Sequence, residues 1–168
     1  MKEDDFGLTG VIGAGRPAES ATARFEQALA YWQAKRGARP MPSRRDLDPP
    51  FEIPHLLPQL VLIEVGRDPL DFRYRLVGTA VTRCAGRDPT GMRFADLPHR
   101  QPGSRAWAAA LRVATEGKPL LADRAYVGPD PDMPACRDLY LPLSSDGERV
   151  DMILGLVEFE APQPMMPL

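Results

Sequence analysis

The segment Val150–Phe159 constrains this chain more than any other. It is apolar on both parities: Val150, Met152, Leu154 and Leu156 on one, Ile153, Val157 and Phe159 on the other. Successive side chains of a strand point to opposite faces, so a strand of this kind must be covered on both sides and lie inside its sheet. With 168 residues, the chain is long enough to bury one sizeable core around such a strand. The expected plan is therefore a sheet with packed layers on both faces.

The other elements follow from periodicity. Phe72–Val77 alternates as Phe-Arg-Tyr-Arg-Leu-Val, a period-two strand with Arg73 and Arg75 on one face. Leu60–Val65 is nearly continuous in apolar residues, and the turn Gly66–Asp71 should pair these two as a hairpin. Leu120–Val127 and Arg137–Leu143 read as two further strands, separated by the loop Pro129–Pro134. Asp146-Gly147 is a strong hairpin signal leading into the last strand.

Helical signals fill the gaps. In Ser20–Arg36, Phe25, Ala28, Leu29 and Trp32 recur at helical spacing, with Ser20 as N-cap and Gly37 beyond the C-terminus. Thr79–Ala85 is a short helix ended by Gly86, with Ala80, Val81 and Cys84 on its apolar side. Ser104–Glu116 is a longer one, with Trp107, Ala110, Leu111 and Ala114 as its expected stripe and Gly117 as its stop. The order is helix, two strands, a helical middle, three strands: an α+β plan with a five-stranded antiparallel sheet. The N-terminal helix is expected to cover the second face of that sheet.

The 19 prolines, well above the usual share of about 5%, cluster where the chain turns rather than in one block. One domain over 19–160 is expected, with a flexible leader 1–18 and a flexible tail 161–168. Gly10, Gly13 and Gly15 in the leader lack the dinucleotide-binding spacing and follow no strand. No apolar run approaches the roughly 20 residues that cross a bilayer, and Met1–Gly15 lacks the pattern of a secretory signal. The net charge of −2 offers neither nucleic acid nor an acidic membrane a reason to bind. Two cysteines make no disulfide scaffold and fit a reducing compartment, so a cytoplasmic location is expected.

Several segments carry a family resemblance. Phe72-Arg-Tyr-Arg-Leu-Val-Gly78-Thr-Ala-Val, then Gly86-Arg-Asp-Pro-Thr-Gly91 and Phe94-Ala-Asp-Leu97, resemble the core of a PAS domain. Leu141-Pro-Leu-Ser-Ser-Asp-Gly147 resembles the hairpin before the last PAS strand. The Tyr31-Trp32 pair and the segment Arg45–Pro49 are similar to features of bacterial proteins built from a single PAS domain. The resemblance spans about Phe25–Phe159. It implies a sensory or signalling module with a cavity between the sheet and the helical middle, and no particular ligand. Flavin-based light sensing is disfavoured, because Pro89 stands where those sensors carry a reactive cysteine. Haem remains open through His99, against the plainer reading of a surface histidine; His55 is read as a surface histidine too.

For a small-molecule site the expected residues are Tyr74, Thr79, Arg83, Trp107 and Tyr140, an apolar pocket with few polar groups. Arg83 could clamp a carboxylate or phosphate, or be an ordinary solvated arginine. For a protein partner or a homodimer the expected surface is Phe25, Leu29, Trp32, Arg73 and Arg75. Cys84 reads as a small core hydrophobe and Cys136 as a strand-edge thiol. No phosphate-binding loop, nucleophile elbow or metal-spaced His/Cys set is present, so no catalytic residue is assigned. Three readings follow: a ligand sensor signalling through a protein partner, a ligand-free dimerisation or adaptor module, and a small enzyme. With nine residues after Phe159, output is expected to leave by non-covalent contact.

Overall fold

In the computed structural model, which describes residues 19–124 and 136–159, the doubly apolar segment forms β5 (Met152–Phe159). It is the middle strand of a five-stranded antiparallel sheet in the order β2-β1-β5-β4-β3. The other strands are β1 (Leu60–Gly66), β2 (Asp71–Val77), β3 (Leu120–Arg124) and β4 (Cys136–Leu143). Helix α1 (Glu19–Arg36) precedes the sheet, followed by the short α2 (Pro49–Glu52). Helices α3 (Thr79–Ala85) and α4 (Arg105–Glu116) lie between β2 and β3. The α+β plan and the helices between the second and third strands are as expected. The leader, the tail, the Pro129–Pro134 loop and the far end of the third strand lie outside the described residues.

The strand parities divide cleanly between the two layers. Leu139, Leu141 and Leu143 of β4 share the outer face with Leu154, Leu156 and Glu158 of β5, and α1 lies over these two strands. Phe25, Ala28, Leu29 and Trp32 of α1 are buried there, the stripe expected from their spacing. A ladder of charges runs beneath the helix. Arg24 donates to both oxygens of Glu158 at 2.9 and 3.0 Å. Arg137, paired in register with Glu158, donates to Asp123 at 2.7 Å and stacks over the Phe25 ring. Glu158 and Arg137, the buried charges of this ladder, thus each meet an opposite one, as burial requires.

The Tyr31-Trp32 pair fastens α1 at its far end. The Trp32 indole N–H donates to the Pro142 carbonyl at 2.8 Å. The Tyr31 hydroxyl accepts the Asp48 N–H at 2.9 Å and donates to Glu52 at 2.6 Å, while Lys35 pairs with the same carboxylate. These contacts hold the Glu52 carboxyl down at about 2, the Lys35 bond first and the Tyr31 bond second. One aromatic pair therefore ties the helix both to β4 and to the proline-rich connection.

Three details differ from the sequence reading. The helix starts at Glu19, so Ser20 lies in its first turn rather than ahead of it as a cap. In α4 the buried stripe is Ala106, Ala109, Ala110 and Val113, whereas Leu111 is 39% exposed and Trp107 only half-buried. The alanines share the same helical spacing, and their short side chains let α4 come within 8 Å, Cα to Cα, of β3, β4 and β5. Finally, Asp146-Gly147 lies in the hairpin connection from β4 to β5 as expected, but within a longer loop rather than a two-residue turn.

That connection is the loop Ser144–Asp151, organised around Asp146. Its Oδ1 accepts from the Glu148 and Arg149 N–H groups, both at 2.8 Å, and from the Ser144 hydroxyl. Gly147 takes φ +83, which a side chain would resist. The backbone bonds, from Arg149 first, hold the Asp146 carboxyl down from 3.8 to about 2. A carboxyl lowered on folding stabilises the native state above its unfolded value and loses that contribution as pH falls through the folded one. Asp146→Asn is therefore expected to lower the melting temperature at pH 6, with the gap to the native sequence closing as pH falls from about 4 toward 2. Calorimetry across that range checks it.

Candidate functional site

The inner face of the sheet carries Val61, Ile63 and Val65 of β1, Phe72 and Tyr74 of β2, Ile153 and Val157 of β5, and Asp138 and Tyr140 of β4. Every residue of β4 is buried, because β3 and β5 flank it while α1 and α4 lie on its two faces. At its centre the Tyr140 hydroxyl donates to Asp138 Oδ2 at 3.0 Å. The two residues are 2% and 3% exposed. Their register partners are Leu120 and Ala122 on β3, and Gly155 and Val157 on β5, so the pair sits in an apolar frame. Gly155 is part of that frame for a steric reason: a Cβ there would stand 2.5 Å from Val61 Cγ2.

Toward β2 the inner face is aromatic. Trp107 meets Phe72 edge-on at 5.0 Å, Phe72 meets Phe94 at 5.5 Å, and Phe94 meets Tyr74 at 5.0 Å. The Arg100 guanidinium lies over the Tyr74 and Phe94 rings at 5.5 and 5.7 Å, within cation–π range. The turn Gly91–Arg93 caps the free edge of β2: the Tyr74 N–H donates to Met92 and the Gly91 N–H to the Tyr74 carbonyl. The aromatic cluster and the Tyr140–Asp138 pair are separated by three strand spacings, about 14 Å. They mark the two ends of one face.

The five expected ligand residues therefore divide. Tyr74 and Trp107 belong to one aromatic cluster, and Tyr140 lies at the other end of the same face. Thr79 and Arg83 are both exposed on α3, away from the buried Val81, because only one side of so short a helix packs inward. Sequence reasoning missed Asp138 and Arg100. Asp138 had a signal, since it shares strand parity with Tyr140; Arg100, in a turn without periodicity, had none.

The expected partner residues divide as well. Arg73 and Arg75 are exposed on the outer side of β2. Phe25, Leu29 and Trp32 are corrected as a free surface: they are 1%, 9% and 3% exposed, seated on the protein's own sheet. Leu76 also departs from its expected face. The register shifts between Leu62 and Ile63, so that Leu62 faces Leu76 while Ile63 faces Tyr74. Arg75 is the extra residue of this bulge, and Leu76 turns outward, 46% exposed.

His99 is exposed, at φ +67, and His55 is exposed and bonded to Gln27. Cys136 is buried and Cys84 half-buried, and Pro89 is buried in its turn. Among the described residues no three His, Cys, Asp or Glu side chains gather into a metal site, and no helix is long and apolar enough to cross a membrane.

Comparison with known proteins agrees with the fold. The family model described as a PAS domain matches residues 20–158. No curated protein matches the chain closely enough to add an activity or a ligand. The sheet order, the helices between β2 and β3 and the match over most of the chain converge: the protein belongs to the PAS domain family, whose members are sensory and signalling modules.

Proposed function

We propose that this PAS domain senses a small molecule held between the inner face of the sheet and α3–α4, and transmits its state through protein contacts. The observation that carries this reading is the Tyr140–Asp138 pair, a hydroxyl and a carboxyl 3.0 Å apart whose register neighbours are Leu120, Ala122, Gly155 and Val157. Burying such groups costs stability that apolar residues would not, and a few placed polar groups in an apolar wall are what a small-molecule site requires. The cluster of Phe72, Phe94, Tyr74 and Trp107 supplies the wall at the other end. A ligand favouring one position of α4 shifts the population toward it, which is how binding reaches the surface. The reading includes no catalytic step. A sequence with only two cysteines suits a cytoplasmic location, with a signalling protein as the recipient.

Mass spectrometry of the purified protein, native and then denatured, tests this. A small molecule released only on denaturation is expected. A ligand at a hundred times its Kd stabilises by about 2.7 kcal/mol, enough to raise the melting temperature by several degrees. Tyr140→Phe, which removes one hydroxyl, is expected to weaken binding about tenfold. No released mass, together with no thermal shift across a metabolite panel, sinks the reading.

A second reading has its own observation. The stripe Ala106, Ala109, Ala110 and Val113 brings α4 close to the sheet, as in a filled core that holds no ligand. In that case the domain acts as a ligand-free adaptor, and Tyr140→Phe alters stability alone.

A further inference from the structure

Gln59 closes the turn Pro54–Gln59 and directly precedes Leu60, the first residue of β1. Its side-chain oxygen, Oε1, is buried and accepts no hydrogen bond among the described residues. An acceptor shut away from water in this manner costs stability, and native proteins keep few of them. Methionine, of similar reach and without a strong acceptor, would fill the same space at no such cost.

Strand register locates this amide. β1 and β5 pair antiparallel as far as Leu60 and Leu156, which belong to the outer face with Leu139. One step further brings Gln59 level with Val157, on the alternate parity. Val157 is in turn the register partner of Asp138, and Asp138 that of Ala122. Gln59 thus ends the cross-strand row that holds Asp138, two strand spacings or about 10 Å from it. The turn that carries Gln59 also lies against α3 and β5. The polar groups at the two positions are both acceptors: the Gln59 oxygen, and the Asp138 carboxyl, which accepts from the Tyr140 hydroxyl.

We propose that Gln59 is a specificity-determining contact of the small-molecule site, its Oε1 accepting from an N–H or O–H of a ligand with an apolar ring body. A carboxylate offers no hydrogen to this oxygen and would face the Asp138 carboxyl as well, so the row selects against it. Arg100, the cation over the Tyr74 and Phe94 rings, lies at the aromatic end of the face. A ligand without the donor leaves the oxygen buried and unpaired, and that penalty discriminates more sharply than an added apolar contact. The proposal rests on the sensory reading and specifies the chemistry that the same site takes.

Indole and N-methylindole, one ring body with and without the N–H, are the probes, titrated into the full chain and followed by NMR. Indole is expected to bind saturably and shift the Gln59 side-chain amide, with N-methylindole at least tenfold weaker. Gln59→Met should raise the melting temperature of the ligand-free protein by several degrees, because it removes an unpaired acceptor. In that variant the two probes should bind equally. Equal affinity of the probes for the native sequence overturns the proposal, as does a preference for indole that survives Gln59→Met. A Gln59→Met protein that melts no higher, or no binding of either probe at millimolar concentration, also overturns it. Mass spectrometry of the molecule released on denaturation keeps the two readings apart. A released molecule that Gln59→Met retains equally well leaves the sensory reading standing and removes only the role of Gln59.

Discussion

Gly78→Ala is expected to destabilise the protein by about 3–5 kcal/mol, enough to leave little folded material. The reason is steric. Gly78 has φ −65, which alanine adopts freely, so backbone conformation costs nothing. A Cβ at this position, however, would stand 2.3 Å from the Pro58 carbonyl oxygen and 2.4 Å from that of Leu57. Both are backbone atoms in the turn Pro54–Gln59, against which α3 packs, and neither can rotate away. The Gly78 N–H also donates to the Leu60 carbonyl at 2.7 Å, locking the approach from the other side. Gly86→Ala is the natural comparison. Gly86 sits at φ +72 with open space around it, so its substitution costs only about 1 kcal/mol of left-handed strain. Urea denaturation of the two variants measures the difference, and equal losses would contradict the steric account.

The second large effect concerns α1. Trp32→Ala is expected to cost about 3–5 kcal/mol, through a cavity under the helix and an orphaned Pro142 carbonyl. Trp32→Phe keeps most of the buried ring and loses only the hydrogen bond, so about 1–2 kcal/mol is expected there. Hydrogen exchange locates the consequence. In Trp32→Ala, protection should fall along α1 and at the outer edge of β4, while β1 and β2 keep theirs. Uniform loss across the sheet would mean that α1 and the sheet form one cooperative unit rather than a docked layer.

How far the sequence revealed this architecture depends on the kind of signal. The position of β5 followed from its two apolar parities, a local pattern with one physical solution. Thr79–Ala85 was legible from its glycine stop, and Phe25–Trp32 from helical spacing. In α4 the pattern held two overlapping stripes that share Ala110: the alanines face the sheet, Trp107 packs on Phe72 at the margin, and Leu111 turns to solvent. Burial there was decided by how closely the helix approaches the sheet, which no local pattern encodes. The bulge at Arg75 is similar: alternation through Phe72, Tyr74 and Leu76 looked regular, and only pairing with β1 reveals the shift.

The candidate site was legible where strand parity reached it. Tyr74 and Tyr140 share the inner face because sheet geometry forces residues of one parity together. Thr79 and Arg83 were assigned from helix position, and the rotation of so short a helix is set by its neighbours rather than by its own sequence. Asp138 went unassigned because a carboxyl in a strand ordinarily faces solvent; its burial needs both α4 and Tyr140 in place. Glu158 and Arg137 are comparable cases, whose burial depends on Arg24 and Asp123 arriving from other elements.

The central claim is that the inner face beside Tyr140 receives a small ligand. Amide and side-chain NMR shifts during titration with the molecule recovered from the purified protein test it most directly. The account predicts saturable shifts at Tyr140, Asp138, Gly155 and the facing turn of α4, reduced about tenfold in apparent affinity by Tyr140→Phe. Shifts confined to the outer face around Leu62 and Leu76, with β4 unmoved, would contradict it.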